Sequence, residues 1–253
     1  MAFWQRPGRK KIEPAKWGLK PARQSKRERS YLVGIAVATV LLWQFPIGST
    51  LLYPFTLLAT WFHEMGHGLA AAALGGDFEQ LVIFPDGSGY ARYSSPSDMM
   101  AVTHALIAAA GLVGPAVAGA IMIAGSRSRP ATRWLLAGLG VTLILSTLIW
   151  VRSLAGWIVL PLFAAATLLV AMSGKDRLQR FTIELLGVQA AISVWRDVRY
   201  LFSDGAFVGG EYAPSDTAVI EEALLLPYWI WGGLITAAIV GMIWLALRFA
   251  VRD

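Results

Sequence analysis

The sequence contains no cysteine, only three histidines, and few charges, at 15% of its 253 residues. Without cysteine there are no disulfides and no thiolate ligands, so any metal must be held by His, Asp or Glu. The scarcity of charge, set beside 56% hydrophobic residues, excludes an ordinary soluble domain of this length, which needs more polar surface. No internal repeat is detectable. The first apolar stretch is not followed by a small-residue cleavage site, so the chain start does not read as a secretory signal.

What is present is a series of long apolar runs. A bilayer-spanning helix needs about 20 mostly apolar residues, and residues 31–47, 51–74, 99–124, 134–150, 154–172, 181–202 and 227–250 approach or meet that. The fold class is therefore an all-α polytopic membrane protein with about six to seven transmembrane helices. The first run is short, and the sixth carries Glu184, Arg196, Asp197 and Arg199.

The net charge of +6 is concentrated at the start, where residues 1–29 hold ten Lys or Arg against Glu13 and Glu28. Such a tail beside a first span reports topology and attraction to anionic lipid rather than binding to nucleic acid. Two regions follow: a basic cytoplasmic arm over 1–29 and a single transmembrane domain over 30–253. The expected location is the bacterial inner membrane with the N-terminus in the cytoplasm. Counting seven alternating spans from there puts Arg127, Arg129, Arg133, Lys175, Arg177 and Arg180 on the outer side, against the positive-inside tendency.

Between the second and third spans the pattern changes. Residues 78–84 (FEQLVIF) are aromatic and branched, 85–89 (PDGSG) is turn chemistry, and 90–93 returns as a second strand, predicting a small β-hairpin. Open edges are not tolerated in lipid, so something must pair with or cover this one. The stretch 203–216 reads as an ordered loop. Ala108, Gly111, Gly114 and Gly119 in the third span predict close helix packing.

Chemistry concentrates in the second span, where His63, Glu64 and His67 form an HExxH pattern (HEMGH) in the middle of an apolar run. On a helix, positions i and i+4 share a face, so two imidazoles can converge on one metal. Glu64, one residue along, can reach a metal-activated water as general base. Ionisable groups in such a run are costly and mark function. A catalytic zinc takes three protein ligands, and Zn2+ suits two His and an acid. Candidates by type for the third are Asp197, Asp204, Asp216, Glu184 and His104, with Asp197 best placed near the inner end of a helix that runs like the HEMGH helix. His104 reads as a packing or substrate-side residue, Asp86 as part of the hairpin turn, and Asp216 with Ser215 as a helix N-cap.

These residues resemble the site-2 protease family of intramembrane zinc metallopeptidases, in its compact bacterial form without a PDZ domain. The resemblance rests on HEMGHGLAAAALGG (63–76), FPDGSG (84–89), AGLVGPAVAG (110–119), the WRDVRYL segment around Asp197, and SDTAVIEEALLLP (215–227). It implies a membrane-embedded zinc with His63 and His67 as ligands, Glu64 as catalytic base, and an Asp on a later helix, carried over to Asp197, as third ligand. The expected partner is a membrane-protein substrate, cut in or beside a membrane-spanning segment in regulated proteolysis, and a hairpin strand could hold it extended. Two rival readings are a catalytically silent scaffold that binds a partner through the same fold, and a metal or proton transporter.

Overall fold

In lipid a backbone must satisfy its own hydrogen bonds, so apolar runs of spanning length fold as helices. The computed structural model describes residues 26–94, 100–196 and 198–251, so most of the basic arm over 1–29 and the single residue Asp197 lie outside the described residues. In chain order the elements are α1 (Lys26–Trp43), α2 (Pro46–Ala73), β1 (Asp77–Ile83), β2 (Gly89–Ser94), α3 (Ala101–Gly125), α4 (Arg129–Ile149), α5 (Leu154–Met172), α6 (Asp176–Arg196), α7 (Val198–Leu201), β3 (Gly205–Val208), β4 (Glu211–Pro214), α8 (Asp216–Leu224) and α9 (Tyr228–Val251).

Among the described residues α3, α4, α5 and α9 are long and apolar enough to cross a membrane. The Gly34–Trp43 part of α1 and the whole of α2 are bent by 112° at their junction and add a fifth crossing when taken as one broken span. The sixth run of the sequence is also a helix, α6, of 21 residues. Its Gln179, Glu184, Gln189 and Ser193 are buried inside the bundle, which explains why it is less apolar than its neighbours.

Small residues set how closely the helices approach. A Cβ on Gly66 would lie 2.4 Å from the Ala110 carbonyl oxygen, and one on Gly114 would lie 2.7 Å from that of Phe62. These contacts run α2 antiparallel to α3. The same device joins α3 to α6, where a Cβ on Gly119 would meet the Gly187 carbonyl at 2.7 Å. The small-residue reading of the third span is thus a backbone-to-backbone seam on two sides.

The hairpin forms as expected, antiparallel, with Leu81 opposite Ala91 and Ile83 opposite Gly89. Its outer edge is covered. Leu81 N–H donates to the Trp150 carbonyl at 2.8 Å, and Arg152 N–H donates to the Leu81 carbonyl at 2.9 Å, a parallel bridge to Val151. Trp150 also stacks on Phe78, with ring centroids 4.6 Å apart. The 203–216 stretch, expected as a loop, is instead a second hairpin, β3–β4, with positive φ at Gly209 and Gly210 making its turn. Only four residues form each strand, too short for an alternating pattern to stand out.

The direction of α1 corrects the expected distribution of charge. Ile35 and Ala36 pack with Ala120, Ile123, Ala246 and Ala250, near the ends of α3 and α9. Val40 lines a groove with Thr236 and Ile239, nearer the middle of α9. α2 runs antiparallel to α3, while α1, bent by 112° from α2, carries Ile35 and Ala36 beside the end of α3, so the two taken together are one broken span rather than two. The arginines that follow α3 and those that begin α6 lie at the same end of the bundle as the start of α1, not at the opposite one.

Replacing Gly66 with alanine drives a methyl group into the α2–α3 seam. We expect a loss of roughly 1–3 kcal/mol, read as a lowered unfolding temperature in detergent, with weakened metal binding beside it. Gly138→Ala, where a Cβ meets nothing within 4 Å, is the matched control and should change neither.

Candidate metal centre

Helical spacing sets the first two ligands. On α2 the rings of His63 and His67 stand one turn apart with centroids 4.7 Å apart, and their Nε2 atoms are 3.1 Å apart. The acid that meets them comes from α8. Asp216 Oδ2 is 3.0 Å from His63 Nε2, and Asp216 Oδ1 is 3.3 Å from His67 Nε2. Donor atoms about 2.0–2.1 Å from a tetrahedral zinc stand roughly 3.3 Å from one another; the two nitrogens are near that spacing, and the carboxylate meets each of them at it through a different oxygen. Among the described residues these three form the cluster able to hold a metal.

The hydrogen bonds around the trio point the same way. His67 Nδ1–H donates to the Ile107 carbonyl at 2.9 Å. The remaining nitrogen, Nε2, is thereby left with its lone pair toward His63 and Asp216, the outer-shell arrangement usual for metal-bound histidines. Three acceptor atoms facing one point repel each other unless a positive charge sits between them, either a proton on an imidazole or a metal ion. Gly111 makes room for this: a Cβ there would lie 2.1 Å from the His67 ring.

Asp216 is placed by its own helix. Ser215 is the N-cap of α8, accepting from Ala218 N–H at 3.2 Å, and its hydroxyl donates to the Ser203 carbonyl at 2.6 Å. The cap reading of Ser215 holds, and the next residue is thereby fixed in direction. Tyr200 on α7 completes the grip. Its hydroxyl accepts from Asp216 N–H at 3.2 Å and donates to Asp216 Oδ2 at 3.4 Å. Burial alone would raise the Asp216 carboxyl, but when protons rather than a metal supply the positive charge, the charged His67, hydrogen bonds donated by both rings and the charged His63 hold it below the usual carboxylate range. Burial and the Asp216 charge push the Tyr200 phenol up, so it stays protonated and able to donate.

Glu64 is buried beside the trio, and the Ala91 backbone N–H of β2 donates to its carboxylate. Gly89 passes equally close, since a Cβ there would lie 3.2 Å from Glu64 Oε1. The hairpin is held along α2 by Thr60, whose hydroxyl donates to the Gly87 carbonyl at 2.6 Å. A cavity of about 310 Å³ opens here, lined by His63, Glu64 and Tyr200 together with the tips of both hairpins.

The structure thus places His63, Glu64 and His67 together as the sequence implies, and brings Asp216 to the two histidines. Asp197 itself lies outside the described residues. Asp204 instead accepts from the Tyr212 hydroxyl at 3.0 Å within the second hairpin, and Glu184 pairs with Arg180 on α6 at 2.9 Å. Asp86 accepts from Ser88 N–H at 2.9 Å, the turn role expected of it. His104, in the first turn of α3, is not part of the cluster. Tyr200 was missed, because its role depends on contacts across the fold. Asp216 was visible only as the neighbour of a helix cap.

The donor set therefore fits a tetrahedral metal, with a buried carboxylate next to it and a cavity in front. The family model described as Peptidase M50B-like matches residues 32–246. No curated protein and no solved structure matches the chain. With its match extending from α1 to the late turns of α9, the chain belongs to the Peptidase M50B-like family, which is the site-2 protease family.

Proposed function

We propose that the protein is a zinc endopeptidase that hydrolyses peptide bonds in membrane-spanning or membrane-adjacent segments of other proteins. The observation that carries this is the convergence of His63, His67 and Asp216 on one point, with the Glu64 carboxylate buried alongside. On this reading Asp216, rather than Asp197, is the third ligand. Zinc held there would polarise the scissile carbonyl and acidify a water. Glu64 would take a proton from the attacking water and deliver it to the leaving amine, while the Ala91 N–H keeps its carboxylate in place. Tyr200 is a positioning residue that holds Asp216 through two hydrogen bonds.

The hairpin orients the substrate. In an antiparallel pair, backbone groups point alternately toward and away from the partner strand. Leu81 bonds outward to Trp150 and Arg152, so its partner Ala91 also bonds outward, on the opposite edge, where Glu64 lies. Gly89 and Tyr93, two residues either side, share that direction. Because the β1 edge is occupied at Leu81, the β2 edge facing the cavity is the one on which an unwound substrate adds as an extended strand.

Metal analysis of the detergent-purified protein tests the centre. Wild type should hold about one zinc per chain. His67→Ala and Asp216→Ala should lose it, and Asp197→Ala should keep it. Tyr200→Phe should weaken zinc affinity about 10–100-fold, as loss of an outer-shell partner does, measured by chelator competition. Glu64→Gln should retain zinc and lose cleavage by roughly 10²–10⁴-fold. Zinc that survives Asp216→Ala but not Asp197→Ala would return the third ligand to Asp197.

The strand edge has its own test. Tyr93→Pro removes an outward N–H from β2 without touching the bond to Glu64. Cleavage of a membrane-segment substrate should fall well below that of Tyr93→Ala, with zinc content equal in the two. Equal cleavage would remove strand addition at this edge from the mechanism.

A further inference from the structure

Away from the metal centre, a second concavity of about 260 Å³ lies between the α3–α4 link and the first turns of α6, lined by Arg127, Arg129, Arg177, Arg180 and Asp176 among others. We propose that it is a binding site for the phosphate of an anionic lipid headgroup.

Charge is the first ground. Arg129 pairs with Asp176 at 2.7 Å and Arg180 with Glu184 at 2.9 Å. Among the described residues four guanidinium groups stand against two carboxylates, an excess of two positive charges, with exposed Lys175 adjoining in sequence. Arginine presents a planar fork of donors that matches phosphate oxygens, so a cleft of arginines is suited to phosphate rather than to a simple anion such as chloride. Arg127 is pre-organised at the rim, donating to the Phe249 carbonyl at 3.0 Å with its guanidinium 5.1 Å from the Phe249 ring centroid.

Position is the second ground. The concavity sits where α3 ends and α4 begins, the level at which spanning helices leave the hydrocarbon. Trp134, one turn inside α4, is 75% exposed, and exposed Trp244 carries the Arg248 guanidinium 4.4 Å from its ring centroid. Exposed tryptophans beside arginines mark the headgroup level of a membrane protein. A basic pocket between helices at that level is placed to meet a lipid phosphate. The start of α1 lies at this same end, so the site adds a fixed, structured contact to the general attraction expected of the basic arm.

The site is separate from the chemistry. From Gly111, beside His67, to Ser126, at the rim, α3 rises about 22 Å, so lipid binding here is testable whether or not the protein is a peptidase. The full-length protein in detergent is titrated with dispersed phosphatidylglycerol and, separately, with phosphatidylcholine and with inorganic phosphate, bound species being counted by native mass spectrometry. Phosphatidylglycerol should bind in preference to phosphatidylcholine. Arg129→Gln/Arg177→Gln, both at exposed positions, should lower its affinity about tenfold or more with zinc content and unfolding temperature unchanged. Arg92→Gln, an exposed arginine on β2, should leave affinity as it is. Unaltered binding in the double variant, or an equal loss in Arg92→Gln, overturns the site. Inorganic phosphate displacing the lipid at comparable concentration overturns the headgroup assignment in favour of a soluble phosphate.

Discussion

Three acceptor atoms aimed at one another inside an apolar bundle are the constraint around which this structure is organised. Nε2 of His63, Nε2 of His67 and the Asp216 carboxylate lie 3.0–3.3 Å apart. Such a set is repulsive on its own, and in surroundings with little water the repulsion is poorly screened. It persists only where a positive charge occupies the centre and the rest of the fold prevents the side chains from turning away. The Ile107 carbonyl fixes one ring, and the α8 cap with Tyr200 fixes the carboxylate. Two of the three side chains therefore arrive with their orientation already determined by a neighbouring backbone or helix end.

The glycines are part of the same constraint. His67 reaches the Ile107 carbonyl because α3 approaches α2 at backbone distance, and that approach depends on Gly66, Gly111 and Gly114. Side chains there would push the helices apart, lengthen the bond to Ile107 and free the ring to rotate. In a bilayer, where apolar burial gives little drive to helix association, contact at this range is also a main source of packing energy. The small residues thus serve stability and ligand geometry together, and no substitution at Gly111 separates the two.

What was legible in the sequence follows from how locally each feature is encoded. His63, Glu64 and His67 belong to one turn of one helix, so periodicity alone puts them on one face. The first hairpin was legible because seven residues of strand chemistry precede a PDGSG turn. The approach of Asp216 to the histidines was not, because it depends on the path of the chain over α7 and the second hairpin. Its immediate neighbourhood, Ser215 before it and a helix after, satisfies a capping pattern completely and gives no hint of a second task. Asp197 drew attention because it sits in an apolar setting, where a carboxylate is costly. The side of the bundle on which the arginines lie was misjudged for a related reason. Hydropathy counts crossings, and it does not register that α1 and α2, bent by 112° at their junction, make one broken span when taken together.

The bundle has two dissimilar ends. One gathers the arginines after α3 and before α6 and the end of α9 with Trp244 and Arg248, with Ile35 and Ala36 of α1 packed nearby. The other gathers both hairpins, the cap of α8 and the cavity in front of the metal centre. The basic end is the one suited to a negatively charged membrane surface. α3 is one helix joining the arginine cleft to the Gly111 seam. If the cleft holds a headgroup as proposed, that contact sets how far α3 sits in the membrane, and with it which stretch of a neighbouring transmembrane segment lies level with the β2 edge. On the two proposals together, the arginines act on where a substrate is cut without touching it, and the hairpin acts on the form in which it is cut.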